Sequence, residues 1–455
     1  MELFSELLSK ISGFVWGPPL LILIVGTGLF LTLRISFLQF SHLGYALKLS
    51  FSKSQDTKSE GDISHFAALM TALAATIGTG NIVGVATAVV LGGPGAVFWM
   101  WITALVGMAT KYAEGVLAVK YRVVDENGEM AGGPMYFIEK GLGWKWLAVL
   151  FAIFASVAAF GIGNMVQSNA VAGNIAASVG INPWITGVIL ALLTALVIIG
   201  GIKSIGRVTS FLVPFMALFY VLGGLIIIIL NITEVPAAIG HIFSDAFTGS
   251  AMAGGAIGTV IRWGVARGVF SNEAGLGSAP IAAAAAKTDV PGRQALVSMT
   301  GTFLDTIVVA SFTGIVITMS GLYDVAGVDE ASLTANAFDM FLPGVGKWIV
   351  TIGLIFFAYS TILGWSYYGE KSFEYLFGAK SVLFYRIAFS ISVLIGAGLT
   401  LNLVWDIADV MNGMMAIPNL IGLIALSGVV VAETKVIKEK IAQEKLESKE
   451  VSQNM

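Results

Sequence analysis

The chain has 455 residues, of which 56% are hydrophobic and 12% charged, against a globular norm of about 25% charged. With no cysteine and three histidines it offers no disulfide, no thiolate nucleophile and no Cys-ligated metal, and its net charge of -3 provides no basic face for nucleic acid. Such a balance suits a bilayer solvent and predicts an all-α polytopic membrane protein.

Residues 1–13 lack the basic start of a signal peptide and read as a short amphipathic helix at the interface. Apolar runs then follow at 14–34, 66–91, 95–119, 146–169, 183–201, 208–230, 255–286, 295–320, 345–370, 381–401 and 405–431, which makes about eleven spans. Arg262, Arg267 and Glu273 interrupt the seventh. The loop after the first span begins amphipathic ("FLQFSHLGYALKLSF") and ends hydrophilic, and the tail "ETKVIKEKIAQEKLESKEVSQNM" alternates charges. His42 and His65 lie in or beside that loop and His241 lies in a later one, so no mid-membrane histidine is expected. No Pro-, Gly- or Ser-rich linker marks a second soluble domain.

Orientation follows from lysine and arginine. Arg34 to Lys58, Lys120, Arg122, Lys140, Lys145, Lys203, Arg207, Lys287, Arg293, Lys371, Lys380, Arg386 and the lysine-rich tail fall on one side, which the positive-inside rule places in the cytoplasm. The expected product is a multi-pass protein of a prokaryotic plasma membrane, N-terminus outside and C-terminus inside. Trp16, Trp99, Trp101, Trp144 and Trp184 sit near span ends as interfacial anchors.

Two segments break the helical pattern. "TIGTGNIVG" (76–84) places three glycines, a threonine and an asparagine inside the second span. In lipid a helix satisfies its own backbone, so unwinding is tolerated only where the freed groups face protein, ligand or a watery cavity. The alternative is close helix packing through Gly78 and Gly84. The second segment, "FSNEAGLGSAPIAAAAA" (270–286), repeats the feature in the seventh span. If spans two to six form one unit and seven to eleven another, each break lies in the first helix of its unit, and the odd span number inverts the repeat. Paired interruptions of that kind point to the mid-membrane site of a secondary transporter. The boundaries are then 1–64 for an extra N-terminal helix and its loop, 65–231 and 232–432 for the repeats, and 433–455 for the tail.

"ALMTALAATIGTGNIVGVATAVVLGGPGAVFWMWITALVGMATKYAEGVLAVKYR" and "IRWGVARGVFSNEAGLGSAPIAAAAA" closely resemble the alanine or glycine:cation symporter family, and the likeness covers nearly the whole chain. The resemblance implies a LeuT-type fold of five plus five inverted helices, preceded by one extra span. It also implies uptake of small neutral amino acids with sodium as coupling ion and no other cofactor, with the lipid bilayer as surroundings and no obligate protein partner.

On that reading the N–H groups where the first broken helix resumes make a carboxylate site, with Thr79 and Gly80 in contact and Asn81 orienting the substrate or a cation. Carbonyls of Phe270, Ser271 and Asn272 would accept the ammonium, and Gly277 and Ser278 would offer donors near the carboxylate. Gln167 and Asn164 are candidate amine or carboxylate contacts, interhelical hydrogen bonding being the alternative. Trp365 is a candidate wall limiting substrate size, or a packed core residue. By motif alignment with LeuT-type transporters, sodium would take the carbonyls of Ala74, Ile77 and Phe357 and the hydroxyls of Ser360 and Thr361. Those hydroxyls have a competing use as bonds to their own helix.

Glu273 and Asp305 are the expected mid-span acids, and an intramembrane charge is a functional-site hypothesis by default. Structural pairing of Glu273 with Arg267 or Arg262 is its alternative. Proton coupling through either acid is the alternative to sodium. A channel would need a ring of equivalent groups, and no enzyme motif such as H-E-x-x-H or G-x-S-x-G is present.

Overall fold

The computed structural model describes residues 10–52, 58–247, 256–325, 327, 329–399 and 402–453. The amphipathic helix expected over 1–13 falls mainly outside them. Helix α1 (Pro18–Arg34) opens on two prolines, whose missing N–H groups cost nothing in a first turn. Two short helices, Leu38–Ser41 and Leu43–Ser50, follow. Helix α2 (His65–Thr76) is capped by the Ser64 side chain, which accepts from Ala67 N. It ends at the first glycine segment, and α3 (Val83–Gly92) resumes after a single tight turn at Thr79–Asn81.

Helix α4 (Gly95–Lys120) runs through the centre of the molecule and is the most buried of the long helices. Where the sequence reading has only a loop, the chain forms a two-stranded hairpin (Val123–Val124 with Met130–Ala131) and a helix, α5 (Pro134–Leu142). Then come α6 (Lys145–Val179), with a widened π turn at Gly161–Met165, α7 (Pro183–Ile198), α8 (Gly201–Leu230) and α9 (Val235–Phe247). The fourth span is thus longer than expected, because nothing after Ser168 breaks the helix before Gly180.

The second half repeats the order. Helix α10 (Ala256–Asn272) stops at the second glycine segment and α11 (Ala279–Ala284) continues after it. Next are α12 (Pro291–Ser320), with its own π turn at Phe303–Ala310, α13 (Glu330–Phe341), α14 (Gly346–Phe377), α15 (Val382–Gly398), α16 (Asn402–Ala425) and the tail helix α17 (Ser427–Gln453). Among the described residues eight helices are long and apolar enough to cross a bilayer. The apolar α2, α3 and α7 are shorter.

Helix contacts in lipid rest on small residues that let backbones approach. A Cβ on Gly107 of α4 would stand 2.8 Å from Ala274 Cβ, and one on Gly115 would stand 2.9 Å from Ala295 Cα of α12. The two interrupted helices are also tied at one end. Ile63 and Ala286 form an isolated parallel bridge, in which Lys287 N donates to Ile63 O at 2.8 Å. The segment entering α2 and the segment leaving α11 therefore share main-chain bonds.

Candidate functional site

The interruptions face each other. α2 ends with Ile77 N donating to Leu73 O at 2.8 Å, and Asn81 closes the turn by accepting from Gly78 N at 3.0 Å through Oδ1. Asn81 Nδ2 donates to Asp305 Oδ1 at 2.8 Å and Asp305 O at 3.2 Å on α12. Ser271 Oγ reaches Asp305 Oδ2 at 2.8 Å, and Thr306 Oγ1 donates to the same oxygen at 2.7 Å. One buried carboxylate thus joins both breaks to a third helix. Gly80 packs closely here, since a Cβ would lie 3.3 Å from Ser271 Cα and 3.4 Å from the Phe270 ring.

At the second break Glu273 adopts φ 57°, Gly275 φ 92° and Gly277 φ 85°. This left-handed run suits glycine but is strained for a glutamate. The glutamate is held by Trp365 Nε1, which donates to its Oε1 at 2.8 Å, and by Ser278 Oγ, which donates to Oε2 at 2.5 Å. Glu273 therefore does not pair with arginine. Arg267 instead lies over the rings of Trp263 and Phe270, 5.4 and 5.6 Å from their centroids.

Between the breaks lies a cavity of about 20 Å³ lined by Ala75, Thr76, Gly78, Thr79 and Gly80 from the first break, Phe270 and Glu273 from the second, Ile162 and Gln167 from α6, Thr361 and Trp365 from α14, and Asn412 from α16. Since a water needs about 10–15 Å³ by this kind of measure, the closed space holds one or two waters. Gln167 Nε2 donates to Thr79 Oγ1 at 3.2 Å and to Ile162 O at 2.9 Å, while its Oε1 is buried without a hydrogen-bond partner.

Of the expected contacts, Thr79, Gly80, Gln167, Phe270 and Trp365 line this cavity. Asn81, Ser271 and Asn272 stand just behind it, Asn272 donating to Thr306 Oγ1 at 3.1 Å. Asn164 faces elsewhere, its Nδ2 donating to Phe389 O of α15 at 2.7 Å, which is the interhelical alternative. Gly277 packs against Pro134, Phe151 and Asn419, and Ser278 serves Glu273.

Of the expected sodium ligands, Ser360 and Thr361 both make the bond to their own helix that is their competing use, and Ser360 also reaches Ala74 across to α2. Ser360 Oγ lies 3.1 Å from Ala74 O and 2.8 Å from Phe357 O, and Thr361 Oγ1 lies 3.0 Å from Phe357 O. A Cβ on Gly78 would approach Thr361 Oγ1 to 2.5 Å, so this hydroxyl sits directly against the first break, just past Ile77. Three oxygens of α14 and one of α2 thus lie close together, and oxygen is the donor type a hard cation takes.

Two mid-span charges were missed from the sequence. Glu114 of α4 is fully buried, its Oε1 accepting from Gly275 N at 3.1 Å and from Asn419 Nδ2 at 2.7 Å, while Asn419 Nδ2 also donates to Gly275 O at 2.9 Å. Lys111 lies one turn earlier and is also buried. The stretch "MATKYAEG" was the available signal, a lysine and a glutamate at i, i+3 within an apolar run.

Among solved structures, the fold is similar to that of MhsT in complex with L-phenylalanine, with a TM-score of 0.57 over 83% of this chain and 99% of that one, at 14% identity. The fold is therefore of the LeuT type. A model of the sodium:alanine symporter family matches residues 1–452, and the chain belongs to that family. It is 66% identical to the sodium/alanine symporter AgcS of Methanococcus maripaludis over 96% of this chain and 98% of the relative. It is 38% identical to the amino-acid carrier protein AlsT of Bacillus subtilis over 97% and 93%, and 36% identical to the probable sodium/glutamine symporter GlnT of the same organism over 95% and 91%.

Proposed function

We infer that the chain is a sodium-coupled symporter of alanine, and that it carries glycine as well. The observation that supports this best is the meeting of two interrupted helices around a small cavity, beside a cluster of four oxygens. In this reading the amino-acid carboxylate lies against Thr79 and Gly80 and its ammonium against the carbonyls of Phe270, Ser271 and Asn272. Gln167 supplies its free Oε1 to the same ammonium, and Trp365 closes the space a larger side chain would need. Sodium takes Ala74, Ile77, Phe357, Ser360 and Thr361, so that it stiffens the end of α2 before the substrate joins.

Eleven crossings complete the picture, each broken helix counting once, with the N-terminus outside, the C-terminus in the cytoplasm and residues 65–231 and 232–432 as inverted repeats. Transport proceeds inward by alternating access, one bundle rocking against the other about the two breaks. Proteoliposomes with sodium and proton gradients imposed independently test this. Alanine and glycine uptake should follow the sodium gradient at fixed pH, and uptake that follows only the proton gradient would overturn it.

A further inference from the structure

Lys111 is the anomaly of this molecule. Its Nζ is buried with no hydrogen-bond partner, although an unpaired ammonium is among the most costly groups to place at membrane depth. Lys371 displays the usual solution, with Asp125 at 2.6 Å, Glu374 at 2.9 Å and Glu129 at 3.3 Å. Lys111 has Glu114 on the next turn of its own helix, within electrostatic reach, but no ion pair forms: Glu114 Oε1 accepts from Gly275 N and Asn419, and Oε2 is buried without a hydrogen-bond partner. Glu273 and Asp305 are within its electrostatic reach, yet both are engaged by neutral donors.

Lys111 lines a small, mostly apolar cavity of about 10 Å³ together with Ala72, Thr76, Pro280, Ser298 and Gly301. Such a volume is about that of one water-sized group, so a larger occupant needs the lining to give way. Ser298 adds a hydroxyl whose oxygen already accepts from Gln294 Nε2 at 3.4 Å, which leaves its proton to donate. Thr76 lines both this cavity and the candidate substrate pocket, so the two are neighbours, with the Lys111 cavity toward the face assigned above to the cytoplasm.

We propose that the Lys111 cavity is a binding site for a small monovalent anion, next inward from the substrate pocket. Chloride from solution and the carboxylate of the departing amino acid both supply that chemistry. In either case the ammonium and the Ser298 hydroxyl provide charge-assisted donors on the release path. The inference rests on the pocket assigned under Proposed function, and its test holds binding there fixed, so its failure leaves that assignment standing.

The test uses the full chain in proteoliposomes under a fixed sodium gradient, with wild type, Lys111→Met and Lys111→Arg, and with gluconate replacing chloride on both sides. If chloride is the occupant, wild-type alanine uptake falls about ten-fold in gluconate, as loss of a charged hydrogen bond predicts, and Lys111→Met is slow and indifferent to chloride. If the occupant is the substrate carboxylate, wild type ignores the replacement. Lys111→Met then keeps sodium-dependent alanine binding while net uptake falls about ten-fold, and Lys111→Arg restores it. Lys111→Gln serves in place of Lys111→Met should the methionine variant not fold. Wild-type uptake in the neutral variant, or loss of alanine binding together with transport, overturns the proposal.

Discussion

Glu273 illustrates how single residues set this site. A glutamate at φ 57° carries strain, and its two oxygens are fixed by Trp365 and Ser278. Trp365 thereby acts both as a wall of the cavity and as a brace for the second break. Gly163, in the π turn of α6, lies against that indole so closely that any Cβ would overlap it. Trp365→Phe keeps the wall and removes the donor, so alanine affinity should fall about ten-fold, the worth of a charged hydrogen bond. Trp365→Leu should also let larger neutral amino acids compete for uptake, read by inhibition of labelled alanine transport. Unchanged affinity and unchanged selectivity in the two variants would remove Trp365 from the site. Ser360→Ala and Thr361→Ala should each raise the sodium concentration needed for half-maximal uptake about ten-fold at unaltered protein yield, and an unmoved sodium curve in both would refute the ligand set.

At the scale of elements, α4 is the rail on which both halves are mounted. Its small residues meet the second break at Gly107 and α12 at Gly115. Gly115→Leu forces side-chain atoms into the α12 backbone and should cost about 1–3 kcal/mol, seen as a lowered Tm in detergent. A Tm equal to wild type would show that α12 can retreat. The tail helix is held differently. Asp289, in the loop before α12, ion-pairs with Arg293 and with Lys440 of α17, and Arg293 reaches Glu444 at 2.5 Å. Burial works against the Asp289 carboxylate, but Arg293 and Lys440 prevail and hold its pKa down to about 2. A depressed value stabilises docking above the ordinary carboxylate range and loses that contribution as pH falls through the lowered one. Hydrogen exchange of α17 should therefore stay slow at pH 4, whereas Asp289→Asn should expose it at neutral pH. Equal protection in variant and wild type would show that apolar packing alone holds the tail.

Across the whole molecule, the places where α2 and α10 end were legible in the sequence. Glycine, asparagine and proline inside apolar runs have few uses in lipid, so "TIGTGNIVG" and "FSNEAGLGSAP" declared themselves. Phe357, Ser360 and Thr361 share one face of α14 as their spacing predicts, and the Ser360 and Thr361 hydroxyls bond to their own helix there. The Glu114 latch was not legible. Its partners Gly275 and Asn419 lie 161 and 305 residues away, and no local pattern links them. Asn164 misled for the same reason: an amide near a site looks alike from sequence whether it faces the cavity or, as here, the Phe389 carbonyl. The helix α5 and the hairpin before it escaped notice because their apolar runs are too short to stand out beside the spans. The bridge between Ile63 and Ala286 arises only once both broken helices are placed side by side. It makes α2 and α11 a coupled pair, suited to swing together when the inner side opens.

The central claim is that the paired breaks hold alanine and sodium in one place. A structure determined with saturating alanine and sodium tests it most directly. The account predicts density for the carboxylate against Thr79 and Gly80, for the ammonium at the Phe270 to Asn272 carbonyls, and for an ion among Ala74, Ile77, Phe357, Ser360 and Thr361. Alanine bound elsewhere, with the space between the two breaks filled only by protein, would contradict it.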